Sequence, residues 1–115
     1  PIYNLADATR YLVNELFGEY GLVILDGNDK KLKQQFIPTI KKDVLAQGFE
    51  KKISKCSEDL GIEYKVQAYV RAINVFKLSD GKRELIKGGI TEKEIEDNPE
   101  SFSPNVLLRP LYQET

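Results

Sequence analysis

Four branched apolar residues in a row, Leu22-Val23-Ile24-Leu25, constrain this chain more than any other stretch. The run has no period-two alternation, so it reads as a strand buried on both faces. Gly18 and Gly21 punctuate its entry, and Asp26-Gly27-Asn28-Asp29 closes it with turn chemistry. Asp29 then occupies the N-cap position before Lys30-Lys31-Leu32-Lys33. Helix, buried strand, polar turn and helix in succession define an α/β layer, where ligands gather between strand carboxyl ends and helix N-termini.

The elements around that strand follow from periodicity. Leu5, Thr9, Leu12, Val13, Leu16 and Phe17 recur at helical spacing over residues 4–17, with Asn4 as N-cap and Gly18 as terminator. Leu32, Phe36, Ile37, Ile40, Val44 and Leu45 form a second apolar face. Pro38 interrupts it, so either the helix kinks or two short helices meet. A third helix spans about Phe49 to Leu60 and ends at Gly61. Beyond it, Tyr64–Val70 and Ile73–Leu78 are β-rich, and Asp80-Gly81 marks a hairpin turn before Lys82–Ile86. Thr91-Glu92-Lys93-Glu94 is a capping box, and Ser103-Pro104 repeats an N-cap and first-turn pattern ahead of Asn105–Pro110. The expected fold is α/β: a helix–buried strand–helix unit at residues 1–47, a connecting α+β segment with a small antiparallel hairpin at 48–90, and short C-terminal helices at 91–115.

Composition removes several function classes. Seventeen basic and eighteen acidic residues leave a net charge of −1, which favours neither nucleic acid nor a strongly charged partner. Without histidine and with one cysteine, the chain offers no His/Cys metal site, no imidazole base and no intrachain disulfide. No run approaches the roughly 18 apolar residues of a membrane span, and no signal peptide is visible. The expected compartment is cytoplasmic. The chain starts at Pro1 and lacks methionine; it reads as a piece of a longer protein.

Candidate functional residues are few. Asp26, at the end of the apolar run, could hold a hydroxyl, a cation or an amine, or simply cap the turn. Cys56 falls in line with Phe49, Ile53 and Leu60, so it is expected to be buried and unreactive. Eight lysines between Lys30 and Lys55 face only three acids, but Phe36 and Phe49 belong to apolar faces, leaving no stacking platform. These lysines are read as a solvated helix surface. Arg71 and Arg83 flank the hairpin strands and are expected to pair with surface acids such as Glu84. Arg109 follows Val106-Leu107-Leu108 and precedes Pro110. So placed, it either pairs with a buried acid or grips an anionic ligand.

Two blocks carry a resemblance. Phe17-Gly18-Glu19-Tyr20-Gly21-Leu22-Val23-Ile24-Leu25-Asp26 and Phe102-Ser103-Pro104-Asn105-Val106-Leu107-Leu108-Arg109-Pro110-Leu111-Tyr112-Gln113 resemble the bacillithiol biosynthesis cysteine-adding enzyme family. Asn74-Val75-Phe76-Lys77-Leu78 with Lys82-Arg83 is similar to that family's hairpin. The resemblance implies a longer protein with a Rossmann-like core and a helical coiled coil, joining cysteine to glucosaminyl-malate. It also implies that the family's glycine-rich, histidine-containing active-site region lies outside this chain, which alone is expected to be inactive. Asp26, Asn105, Arg109 and Gln113 match family blocks and are the candidates for lining a core cleft. The cofactor stays open, with a nucleotide as the candidate in the longer protein, and no metal is expected in this chain. The expected partners are a small-molecule substrate and a second copy in a homo-oligomer, because a buried strand without neighbours must find them elsewhere. The alternative is a non-catalytic binding or scaffolding module. Convergence of Asp26 and Arg109 on one cleft favours the ligase; separate solvent-facing positions favour the module.

Overall fold

Asn4 opens the first helix, α1 (Leu5–Phe17), by accepting the Asp7 amide at 2.9 Å. This computed structural model describes residues 1–66 and 68–114. Past α1 a short 3-10 turn ends at Gly21, whose φ of 82° suits a residue without a Cβ. Asp29 caps α2 (Lys30–Gln35) through the amides of Lys31 and Leu32. Pro38 resolves the choice left by the sequence. Two short helices meet at Phe36, because α3 (Ile37–Val44) takes Pro38 into its first turn, where no amide is needed. Helix α4 (Glu50–Gly61) follows.

The hairpin forms as its turn chemistry dictates. Strands β1 (Val75–Ser79) and β2 (Lys82–Leu85) pair antiparallel, with Ser79 opposite Lys82 and Phe76 opposite Leu85. Asp80 and Gly81 both adopt positive φ, as a two-residue hairpin loop requires. Thr91 caps α5 (Glu92–Asp97) through the Glu94 amide. The third strand, β3 (Phe102–Pro104), lies antiparallel on the other side of β1, giving the order β2-β1-β3. Helix α6 (Arg109–Glu114) closes the described chain. The fold is α/β, with a small antiparallel sheet among helices. Its core joins α3, β1, α5, β3 and the α6 region through Ile40, Val44, Val75, Ile95, Phe102, Leu108 and Tyr112.

Four expectations are corrected. Leu22–Leu25 forms no strand and is largely exposed, Val23 at 77% and Leu25 at 71%. No strand among the described residues lies beside it to take its backbone groups, so apolarity alone does not bury it. Helix α1 likewise buries none of its side chains fully. Tyr64–Val70 contributes no strand among its described residues; Gln67 lies outside them. Ser103-Pro104 belongs to β3 and not to a helix start, because Phe102 is drawn wholly into the core and carries its neighbours alongside β1.

Cys56 is exposed. Phe49 and Ile53, at the start of α4, pack against the core, whereas Cys56 and Leu60 further along the same line are exposed, so the thiol faces solvent. The expected result with a thiol reagent is stoichiometric labelling of Cys56 under native conditions, no more than about tenfold slower than in denaturant. Protection by several orders of magnitude would contradict this placement.

Candidate functional site

A cleft of about 820 Å³ opens between α2, the β1–β2 hairpin, β3 and α6. Local sequence sets each wall. The Asp29 cap starts α2 so that Lys33, one turn on, donates its amide to the Asp29 carbonyl at 2.9 Å and points its side chain inward. The two-residue turn fixes the hairpin register that sets Arg83 opposite Leu78, and both residues line the cleft. Asn105 Oδ1 accepts the amides of Leu107 and Leu108 at 3.0 and 3.1 Å, shaping the turn that leads into α6. Arg109 and Gln113, four residues apart on α6, then share one helix face and line the cleft together. The Phe36 and Tyr112 rings, 4.2 Å between centroids, complete an apolar wall with Leu25 and Leu32.

The charges around this space are unequal. Lys33, Arg83 and Arg109 line it, and no carboxylate does among the described residues. Lys33 is 2% exposed, and its ammonium donates to the Phe102 carbonyl. Burial, then the nearby charge of Arg83, pulls the Lys33 amine below its ordinary range. The buried Tyr112 hydroxyl is pushed above its usual value, chiefly by desolvation.

The four sequence candidates separate. Arg109 and Gln113 share the large cleft. Asp26 lines a neighbouring groove with Leu5, Thr9 and Arg10, and the two spaces meet at Leu25 and Gly27. Its carboxylate accepts the Asn28 amide at 2.9 Å and pairs with Arg10, and these contacts, the Asn28 amide foremost, hold it below its ordinary value. Asp26 therefore caps its turn and fixes α1 against it. Asn105 is buried beside Asn74: its Nδ2 donates to Asn74 Oδ1 at 2.9 Å, and its backbone amide donates to the Asn74 carbonyl at 2.8 Å. It is part of the frame behind the cleft. Arg83 has no ion pair among the described residues, contrary to the surface pairing expected of it.

Lys33 and Arg83 are the site residues that sequence reasoning missed. Lys33 stands four and seven residues before Ile37 and Ile40, so the same spacing that assigns Ile40 to the core also points Lys33 inward. Among the described residues no group of three or more carboxylates or thiols could hold a metal ion, and no helix is long and apolar enough to cross a membrane.

Comparison with known proteins adds the family. Residues 2–115 match the family model described as bacillithiol biosynthesis BshC, N-terminal Rossmann-like domain. The chain belongs to this family. A protein of Flavobacterium psychrophilum named "Putative cysteine ligase BshC" is 46% identical over 127 residues, covering 96% of this chain and 24% of that protein. The same-named protein of Flavobacterium johnsoniae is 44% identical with the same coverage. This BshC-family chain thus spans about a quarter of the length of the curated relatives it matches. No solved structure matches it significantly.

Proposed function

We propose that this chain forms part of a cysteine ligase that adds cysteine to glucosaminyl-malate in bacillithiol synthesis, and that the cleft beside α6 receives part of the acidic sugar conjugate. One observation carries the reading: the family match runs through Arg109 and Gln113, and both line the same cleft. A cleft of this volume, apolar on one wall with a few convergent polar groups, has the form of a small-molecule site. The chain would supply binding and orientation, while its lack of histidine leaves acid–base chemistry to other groups or to other parts of a longer protein.

The test is a chimera in which this chain replaces the matching quarter of the Flavobacterium psychrophilum relative. Expressed in a bacillithiol-producing bacterium that lacks its own cysteine ligase, the chimera should restore bacillithiol, measured by mass spectrometry of labelled thiols. Arg109→Ala should reduce kcat/KM by about tenfold, mostly through KM, as loss of a binding contact does. The isolated chain should form no product. A folded, expressed chimera that yields no bacillithiol would overturn the proposal.

A further inference from the structure

A lysine ammonium is seldom buried unless a carboxylate accompanies it, because desolvating the charge costs several kcal/mol. Three other lysines obey that rule nearer the surface. Lys30 holds Glu100, Lys41 holds Glu92 and Glu96, and Lys77 holds Glu94. Lys33, the most buried of them, has only the Phe102 carbonyl, which can satisfy one of its three protons and supplies no formal charge. The carboxylate whose charge it feels is that of Asp26, and Asp26 is committed to Arg10 and the Asn28 amide. Arg83 lies close enough to disfavour the ammonium further, and Arg109 faces the same space. Three cations around one cleft, none with a carboxylate partner among the described residues, are repulsive until an anion arrives.

We propose that Lys33, Arg83 and Arg109 form a receptor for a doubly charged oxyanion, either paired carboxylates or a phosphate, at one end of the cleft. The assignment deepens the substrate-cleft reading above and rests on it for the ligand's context. Each cation has a distinct part. Lys33 is a buried point charge held by the Phe102 carbonyl, so little conformational freedom is lost when it engages an anion. Arg83 and Arg109 reach in from the hairpin and α6 and offer planar donors matched to carboxylate or phosphate oxygens. The anion occupies a fraction of the 820 Å³, and the rest of the ligand lies against Leu25, Leu32, Phe36 and Tyr112. A bound anion also offsets the desolvation of the Lys33 ammonium, so affinity should fall as pH rises and that amine deprotonates.

Titration calorimetry on the 115-residue chain tests this with two probes, malate and inorganic pyrophosphate, and glycerol as the neutral control. The expected result is one-to-one binding of at least one anion, no binding of glycerol, and affinity that declines with added salt and with rising pH. Malate binding alone identifies a substrate carboxylate as the natural occupant; pyrophosphate binding alone identifies a nucleotide phosphate. Arg83→Gln, at an exposed position whose loss leaves the core intact, should weaken binding by about fivefold, and Lys33→Met by tenfold or more. Absence of binding by both anions, or binding indifferent to Arg83→Gln and Arg109→Gln, would overturn the receptor. The two readings fail separately. A chimera that makes bacillithiol with Arg83→Gln at full rate rejects the receptor and keeps the ligase, whereas anion binding in a protein without ligase activity does the reverse.

Discussion

Replacing Asp43 with alanine should remove about 3–5 kcal/mol, a large part of the roughly 5–15 kcal/mol that holds a typical domain together. Asp43 is wholly buried in α3, and its Oδ2 accepts the backbone amides of Asn74 at 2.6 Å and Val75 at 2.9 Å. One carboxylate oxygen thereby ties a helix to the start of β1, 31 and 32 residues away. Alanine would leave two buried donors without partners. Asparagine keeps an acceptor of the same shape, so Asp43→Asn should cost less than half as much. The two variants also separate hydrogen bonding from charge. Burial raises the Asp43 carboxyl above its ordinary value despite the amides that favour the anion. The native state therefore holds more protons than the unfolded state between the ordinary and the raised value. Across that window Asp43 contributes a loss of stability as pH rises, a contribution that Asp43→Asn removes, so the wild type should fall relative to the asparagine variant. Urea midpoints of the three proteins between pH 3 and 8 check this; an alanine variant within about 1 kcal/mol of wild type would sink it.

Phe102→Ala should cost a similar amount, about 3–5 kcal/mol, by lost transfer energy and the cavity left behind. Phe102 is fully buried in β3 at the centre of the seven-residue core. Its carbonyl also holds the Lys33 ammonium, so core packing and the site are joined at one residue. The expected pattern is therefore double. The alanine variant melts at much lower urea, and at low temperature, where it remains folded, it binds the anionic probe at least several-fold more weakly. Phe102→Leu should recover most of the stability and most of the binding. Binding unchanged in a destabilised alanine variant would show that the Lys33 position does not depend on β3.

Side-chain chemistry at single positions made much of the local structure legible. Asn4, Asp29 and Thr91 cap the helices that follow them because each is a short acceptor set just before a helical run. Asp80-Gly81 sets the hairpin register, and with it the side of the sheet on which Arg83 lies, because few residues tolerate positive φ. Pro38 located a break but left its form open; its place in the first turn of α3 settled it. Arg109 and Gln113 were candidates only through the family blocks; it is α6 that sets them four residues apart on one face of the cleft.

Burial was not legible in the same way. Leu22–Leu25 has the composition of a strand covered on both sides, yet it lies exposed, because burial depends on what stands next to a segment. Cys56 had the right spacing for an inward face, but only Phe49 and Ile53 at the start of that line meet the core, and the line is exposed by the time it reaches Cys56. Lys33 erred in the opposite direction: counted among surface lysines by its charge, it is buried by its helical phase. Sequence alone determined the caps at Asn4, Asp29 and Thr91, the hairpin turn and the family, all set by contacts within a few residues or by whole blocks of identity. Tertiary structure alone decided which apolar faces meet, that Asp43 would hold β1, and that three cations distant in sequence would surround one cleft. Those outcomes rest on long-range packing, whose free energy depends on pairs of surfaces and is therefore not a property of either segment by itself.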